Sequence, residues 1–159
     1  GESSASVEAV LDVGVIVPAC FENPLKERSA SLLADAISMR RRLAIPVTAT
    51  MGAYHIATRY LGAPKLAVKK ILVGLLSSRS PALYRDISPE LAADGLDFAS
   101  TYDVESWDGY LIAVGRSLGT RIIYSLDETL SKVGEVTVVN PFPKDATKKY
   151  HDRIRALTS

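Results

Sequence analysis

The sequence predicts an α/β domain built around a short, mostly parallel sheet, because short β-rich segments alternate with amphipathic helical patterns along the chain. The chain has 159 residues, of which 47% are hydrophobic and 23% charged, as in an ordinary soluble globular fold. That length suffices to bury one hydrophobic core, and no linker or internal repeat divides it. We therefore expect one domain over residues 7–159, preceded by a flexible end or cloning remnant over residues 1–6.

The first half of the chain shows one clear strand pattern and three helical patterns. A short β-rich run ends at Asp12, and the first helical pattern carries its apolar residues at helical spacing on one face. Gly62 is placed to end the second helix, and Pro64 is placed to start the third. The predicted elements are a strand over 7–11, a helix over 25–42, a short extended segment over 46–48, and helices over 50–61 and 64–78.

The second half continues the alternation of strands and helices. Ser88 and Pro89 are the residue types preferred at a helix cap and at the first helical position. Gly119 is placed to end a later helix. The predicted elements are a strand over 82–84, a helix from 88 to about 102, a helix over 106–119, strands over 121–126 and 137–139, and a terminal helix over 148–157.

Three aspartates occupy positions that share one edge of this predicted sheet. Asp12 ends the first strand, Asp127 follows the strand over 121–126, and Asp108 lies in the first turn of the helix over 106–119. A helix that leads into a parallel strand begins at the carboxyl edge of the sheet, where open α/β folds bind their ligands. Three carboxylates in one crevice repel each other unless protons or a cation neutralise them. Since no Cys or His cluster accompanies them, that cation should be hard, either Mg²⁺ or Mn²⁺.

Charge, cysteine content and hydropathy limit the classes of protein to which the chain can belong. The net charge of +1 gives no global attraction for nucleic acid, so any such binding requires a local basic patch. Cys20 is the only cysteine, which excludes an internal disulfide and a cysteine-based zinc site and favours a reducing compartment, the cytoplasm. The most apolar run, over 66–76, is interrupted by Lys69 and Lys70 and is too short to span a membrane, so we expect no membrane association.

Taken together, these segments resemble the PIN domain, and within it the small single-domain VapC-type ribonucleases of bacteria and archaea. The resemblance rests on Asp12 after a first short strand, on WDGYLIAVGRSLGTRIIYSLDETL over 107–130, and on the late VVNPF. The family's late signature is an aspartate that opens a helix of the type D-x-x-I-A-x-A-x-x-x-G, followed by a strand ending in Thr/Ser-x-Asp, which Ser125-Leu126-Asp127 matches. The resemblance runs from about Val7 to Phe142 and implies a three-layer PIN-like fold with a short, mostly parallel central sheet flanked by helices.

The chain departs from this family pattern at two places. Asp12 is followed by Val-Gly, where the family usually has Ser or Thr and then Asn or Ser. The family's usual glutamate, in the helix after the second strand, falls at Tyr54, next to His55. A neutral phenol does not replace a carboxylate as a ligand of a hard metal at neutral pH. The acidic set is therefore three carboxylates, unless Asp103 or Glu105 contributes a fourth.

The resemblance implies a Mg²⁺- or Mn²⁺-dependent endoribonuclease that hydrolyses RNA phosphodiester bonds, the toxin of a toxin–antitoxin pair. It also implies a homodimer and a small antitoxin protein as partner. The residues it implies are Asp12, Asp108 and Asp127 as catalytic metal ligands, Ser125, Tyr54 and His55 as supporting residues, and Arg116, Lys65 and Lys69 as RNA-binding residues. The alternative is a catalytically inactive PIN-fold module that binds RNA or protein. In that case the aspartates are helix caps and turn residues, and the cations are solvated helix faces.

Other catalytic patterns fit the sequence poorly. GRSLG over 115–119 matches the G-x-S-x-G of serine hydrolases, but a strand pattern follows it where their nucleophile turn leads into a helix. Gly14 stands where the D-x-D of haloacid dehalogenases requires its second aspartate. The chain has no G-x-x-x-x-G-K-[ST] loop for nucleotide phosphates.

Overall fold

A five-stranded sheet forms the centre of the computed structural model, which describes residues 6–159. Residues 1–5, which hold most of the predicted flexible end, lie outside the described residues. The strands are β1 (Ala9–Leu11), β2 (Leu43–Pro46), β3 (Leu83–Tyr84), β4 (Ile122–Tyr124) and β5 (Thr137–Val139). They lie in the order β3-β2-β1-β4-β5, and every adjacent pair is parallel. The predicted parallel sheet is therefore confirmed.

The register of β1 brings distant parts of the chain side by side. Val10 lies opposite Ala44 of β2 and opposite Ile123 of β4, so β1 is the central strand. Leu11 pairs with Tyr124, and the Asp12 amide donates a 2.9 Å hydrogen bond to the carbonyl oxygen of Tyr124. The residues that follow β1 and β4 are thereby fixed next to each other at the carboxyl edge.

Seven α-helices surround the sheet within residues 6–159. They are α1 (Val13–Ile16), α2 (Lys26–Ile37), α3 (Val47–His55), α4 (Lys65–Ser77), α5 (Pro89–Tyr102), α6 (Ser106–Leu118) and α7 (Lys144–Thr158). A 3₁₀ turn over Val17–Cys20 follows α1, a π-helical turn over Ile56–Tyr60 extends α3, and a second 3₁₀ turn spans Glu128–Lys132. Within the described chain, none of these helices is long and apolar enough to cross a membrane.

The predicted helix over 25–42 is too long, and the predicted extended segment over 46–48 is misplaced. Helix α2 ends at Ile37 because Met39 takes a left-handed backbone conformation with φ 62°. Strand β2 then forms over 43–46, where every residue is buried. A strand buried on both faces shows no alternation of polar and apolar residues, which is why the sequence pattern did not reveal it.

The sheet separates two hydrophobic clusters, as a three-layer fold requires. Ala9 and Leu11 point into the larger cluster, which also takes residues from α1 to α4 and Tyr150 of α7. Val10 points the other way, into a cluster formed mainly by α6 with Leu91 of α5. The alternating directions along β1 are those of an extended strand, so a single short strand anchors both helical layers.

Helices α5 and α6 approach each other closely through two glycines. A Cβ atom built on Gly109 would overlap the carbonyl oxygen of Gly95, and one built on Gly95 would lie 3.0 Å from the Tyr110 Cα. No side chain larger than hydrogen fits between these backbones without moving one helix. Since Asp108 precedes Gly109, this contact fixes the start of α6 where the carboxylate emerges.

Candidate metal centre at the carboxyl edge of the sheet

Asp12 stands at the end of β1 and is held by two hydrogen bonds. Its Oδ1 accepts a 2.7 Å hydrogen bond from the Val13 amide, which makes Asp12 the N-cap of α1. Its Oδ2 accepts a 2.7 Å hydrogen bond from the Ser125 hydroxyl. A half-buried carboxylate with both oxygens engaged has a fixed orientation, which a site built on it needs.

Ser125 connects Asp12 to Asp127. The Ser125 side chain is buried, with 2% of its surface exposed, and its Oγ accepts a 3.0 Å hydrogen bond from the Asp127 amide. Asp127 is exposed and caps the following 3₁₀ turn, since its Oδ1 accepts a 3.0 Å hydrogen bond from the Thr129 amide. Asp12 and Asp127 are therefore neighbours at the sheet edge, as their positions at strand ends predict.

Asp108 completes this group from the first turn of α6. The carboxyl group is half-buried, and burial raises its pKa to about 6, with further contributions from the negative charges of Asp12, Glu105 and Asp127. Burial also raises the pKa of Asp12, although its hydrogen bonds from Ser125 and Val13 oppose that shift. The edge is thus a place where negative charge is costly without a cation.

Glu105 is the acidic residue that joins this edge besides the three aspartates. It is the N-cap residue of α6, one turn before Asp108, and its charge contributes to the raised pKa of both Asp12 and Asp108. Asp103 has a different place, because it caps the end of α5 with φ 54° and its carbonyl oxygen accepts a 3.0 Å hydrogen bond from Lys132 Nζ. Of the two acids considered from the sequence, Glu105 faces the aspartates.

Tyr54 and His55 lie in the last turn of α3, both exposed. The His55 ring packs edge-on against Tyr60, with 5.3 Å between ring centroids. The α3 position that packs against α1 is Gly52, where a Cβ atom would lie 3.2 Å from Val13 Cγ2. Position 54 points about 200° away from position 52 around the helix. The sequence pattern did not single out Gly52, although Ala53 and Ala57 beside it mark the buried face of the same segment.

Of the three predicted RNA-binding cations, Arg116 is set back from this edge along α6. Arg116 lies two turns beyond Asp108 on α6, about 12 Å along the helix axis. Its guanidinium forms a 3.0 Å ion pair with Glu135 and stacks over Phe98 at 5.4 Å. Lys65 and Lys69 are exposed on α4, and within the described chain no ion pair connects either lysine to the aspartates.

The donor set at this edge fits a hard divalent cation in its chemistry. Four carboxylates supply only oxygen, which Mg²⁺ and Mn²⁺ prefer over softer ligands. Between residues 6 and 159, no three Asp, Glu, His or Cys side chains are grouped closely enough to hold one ion together. Mutual repulsion of uncompensated carboxylates favours such separation.

The G-x-S-x-G pattern has no catalytic geometry. Gly119 ends α6 with φ 77°, and Ser117 donates a 2.8 Å hydrogen bond back to the carbonyl oxygen of Val114 within the helix. A Cβ atom on Gly115 would lie 2.9 Å from the carbonyl oxygen of Thr120. These small residues let the end of α6 pack against the turn that leads into β4, and they form no nucleophile elbow.

Comparison with known proteins gives a consistent assignment. A family model described as PIN domain matches residues 9–136. A toxin–antitoxin complex from Klebsiella pneumoniae contains a chain of similar fold, with a TM-score of 0.58 and 13% identity, over 85% of this chain and 98% of that chain. The Mycobacterium tuberculosis VapC20, a sarcin-ricin loop cleaving toxin, is similar with a TM-score of 0.59 and 14% identity, over 80% and 95% of the two chains. No curated protein sequence matches significantly. At these identities the two solved structures show a shared fold.

Proposed function

The chain belongs to the PIN-domain family, and on that premise we propose that it is a metal-dependent endoribonuclease acting at the edge formed by Asp12, Asp108 and Asp127. The observation that carries this proposal is the connection of Asp12 to Asp127 through the buried Ser125 hydroxyl. Burial raises the pKa of Asp108 to about 6, and Asp108 is close enough to both aspartates for their charges to add to that shift. A set of helix caps alone would not need a buried hydroxyl that joins the Asp12 carboxylate to the backbone amide of Asp127.

The proposed roles follow from burial and hydrogen bonding. Asp12 is the fixed ligand, because both of its oxygens are oriented by hydrogen bonds. Asp108 is the second ligand, and its pKa of about 6 means that a cation competes with its proton as the pH falls below neutral. Asp127 is the third ligand, since its carboxylate is exposed and, within residues 6–159, only its Oδ1 accepts a hydrogen bond, from the Thr129 amide. A bound Mg²⁺ or Mn²⁺ supplies Lewis acidity that activates a water for attack on phosphorus and neutralises charge on the leaving oxygen.

Glu105 is the proposed fourth carboxylate. Helix α3, Val47–His55, has no acidic side chain to bind a cation. Glu105 lies at the N-terminus of α6 instead, one turn from Asp108. Tyr54 and His55 are left out of the catalytic set, because both side chains are exposed at the far end of α3.

A non-catalytic binding module is the second candidate function. The composition of α3 favours it, because Val47–His55 contains no acidic residue and three or four carboxylates on α6 and the strands must suffice. The two candidates differ in metal dependence. A binding module holds RNA in EDTA and leaves it uncut with Mn²⁺, whereas the nuclease cuts RNA only with the metal present.

The proposed partners rest on fold similarity. One similar chain belongs to a toxin–antitoxin complex and the other is an RNA-cleaving toxin. We propose RNA as substrate, a small antitoxin protein as inhibitor, a homodimer as the working form and the cytoplasm as the place of action. Lys65 and Lys69 stay candidates for RNA contact, whereas Arg116 is already paired with Glu135.

The decisive experiment is Mn²⁺ titration by calorimetry at neutral pH on wild type, Asp108→Asn and Asp97→Asn. Asp97 is an exposed aspartate of α5 and serves as the matched control. Saturable binding to wild type and Asp97→Asn, lost in Asp108→Asn, supports the metal site. RNA cleavage that requires Mn²⁺ and disappears in Asp108→Asn then supports the nuclease. If wild type binds no Mn²⁺ at millimolar concentration, the proposed metal-dependent nuclease is contradicted.

A further inference from the structure

A groove of about 960 Å³ opens directly beside Asp127. One wall is the 3₁₀ turn that begins at Glu128, and the opposite wall is a face of α7. Val138 and Phe142 lie between the walls. Because Asp127 lines the groove and also belongs to the acidic edge, the groove and the proposed metal centre form one continuous surface.

The α7 wall of this groove is basic. The residues that line it are Lys144, Lys148, His151 and Arg155. Their spacing of four, three and four positions places them on one face of the helix, over a length of about 16 Å. Lys149 and Arg153 lie on the opposite face and do not line the groove. The cations therefore form a stripe that leads toward the carboxylates.

Ion pairs within α7 leave this stripe with excess positive charge. Asp152 pairs with Lys148 at 3.2 Å and with Arg155, and both cations lower the pKa of that carboxyl group. The single carboxylate of Asp152 is thus shared by two cations. Lys144 forms no ion pair within residues 6–159. The pairs are solvent-exposed and of low strength, so a phosphate group can replace the carboxylate as partner.

The α7 wall also lies outside the family match, which ends at residue 136. Its basic face is therefore a property of this chain's own C-terminal helix. A groove with cations along one wall and a metal-binding edge at its end has the charge pattern that a nucleic-acid strand requires. Phosphates contact the cations, and the scissile phosphate reaches the carboxylates only when a metal neutralises them.

We propose that this groove holds a single-stranded RNA segment, with its phosphates on Lys144, Lys148 and Arg155, and guides it to the acidic edge. The identity of the ligand as RNA rests on the proposed ribonuclease function. An acidic protein segment is the competing occupant. RNA is favoured because the groove ends at carboxylates, which repel an acidic peptide but bind a phosphodiester through a shared divalent metal.

The test measures binding of a fluorescein-labelled single-stranded RNA of about 20 nucleotides, by anisotropy in EDTA so that no cleavage occurs. The groove variant is Lys144→Glu/Lys148→Glu, and the control is Lys149→Glu/Arg153→Glu. Both change two exposed cations of α7 to glutamate, so they alter net charge equally. Circular dichroism checks that both variants are folded. Affinities are measured over a series of salt concentrations.

The groove variant should bind at least tenfold more weakly than wild type. Its salt dependence should fall by about 1.4 units of log–log slope, since each of the two lost phosphate contacts contributes about 0.7. The control should stay within threefold of wild type. The groove proposal is overturned if both variants lose RNA affinity equally, if neither loses it, or if wild type does not bind RNA. If wild type binds polyglutamate instead of RNA and the groove variant does not, the groove is assigned to an acidic protein segment. That result also overturns the RNA proposal.

The same samples separate this proposal from the nuclease proposal. Wild type that binds RNA through the groove but leaves it uncut with Mn²⁺ supports the groove and contradicts the nuclease. Wild type that cuts RNA with Mn²⁺ while the groove variant binds as tightly as wild type supports the nuclease and contradicts the groove.

Discussion

Ser125 Oγ lies 2.7 Å from Asp12 Oδ2 and 3.0 Å from the backbone nitrogen of Asp127, so one buried hydroxyl joins two carboxylate residues from neighbouring strands. The register of β1 and β4 alone places these residues near each other. The hydroxyl adds orientation, because it donates to one aspartate and accepts from the residue that carries the other. Orientation of this kind from outside the ligand set commonly controls metal affinity.

Replacement Ser125→Ala should weaken Mn²⁺ binding about tenfold and lower the free energy of unfolding by about 1–2 kcal/mol, since Asp12 Oδ2 and the Asp127 amide lose their partner. Calorimetry and urea unfolding measure the two effects. Ser125→Thr keeps the hydroxyl and should restore most of the binding. Full Mn²⁺ affinity in Ser125→Ala would show that the hydroxyl does not position the ligands.

Replacement Asp108→Asn should stabilise the metal-free protein at neutral pH. The folded-state pKa of Asp108 is about 6, above its ordinary value of 3.8, so its contribution to stability is complete below that ordinary value and is lost as pH rises through 6. After allowance for solvent screening of this half-buried group, the gain is about 1–2 kcal/mol at neutral pH. Thermal unfolding in EDTA should show a Tm higher by a few degrees.

The gain in thermal stability from Asp108→Asn should disappear at low pH, and it should reverse when metal is added. At about pH 4 wild-type Asp108 is largely protonated, so the two proteins should have nearly equal Tm. Addition of Mn²⁺ at neutral pH should raise the Tm of wild type more than that of the variant. A metal-free variant less stable than wild type at neutral pH would contradict the charge repulsion inferred at this edge.

Mn²⁺ binding to wild type should depend on pH because the metal competes with the Asp108 proton. With a pKa of about 6, Asp108 is mostly protonated at about pH 5, and binding there should be about tenfold weaker than at neutral pH. Calorimetry in two buffers of different ionisation enthalpy should also detect the released proton. Binding that is equal at both pH values without proton release would exclude Asp108 as a ligand.

Replacement Glu105→Gln should weaken Mn²⁺ binding and slow RNA cleavage about tenfold, because the edge loses its fourth carboxylate. Asp103→Asn is the matched control, since Asp103 lies two residues away but caps α5 by its backbone conformation. The control should bind Mn²⁺ as wild type does. If the two variants behave alike, Glu105 acts only through general charge.

Replacement Gly109→Ala should destabilise the protein by about 3 kcal/mol, because the new methyl group overlaps the backbone of α5 at Gly95. Gly74→Ala in α4 is the control, since a Cβ atom there has no neighbour within 4 Å. It should stabilise the protein by up to about 1 kcal/mol through higher helix propensity. Urea unfolding measures both changes, and a neutral Gly109→Ala would contradict the close approach of α5 and α6.

The sequence predicted those parts of the fold whose signals are local. Ser88 and Pro89 start α5 as predicted, and Gly119 ends the helix that begins at Ser106. The strand over 137–139 has the predicted bounds. The terminal helix was found, but it begins at Lys144 rather than at residue 148, because Pro143 acts as its N-cap residue.

The missed parts depend on tertiary contacts. Strand β2 is buried on both faces, and α1 is a single turn that exists because Asp12 caps it at the sheet edge. The sequence left Asp103 and Glu105 as equal alternatives, and only the left-handed turn at Asp103 separates them. The close packing of Gly52 against Val13 follows from how α3 lies on α1, which no local pattern encodes.

Strands β1 and β4 are neighbours in the sheet, yet more than one hundred residues of chain separate Asp12 from Asp127. Contacts over such a distance in sequence form slowly and late compared with those inside a helix. Synthesis on a ribosome proceeds from the N-terminus, so β1 cannot pair with β4 until β4 has been synthesised. An incomplete chain that lacks β4 therefore has no assembled acidic edge, even though Asp12 and Asp108 are already present.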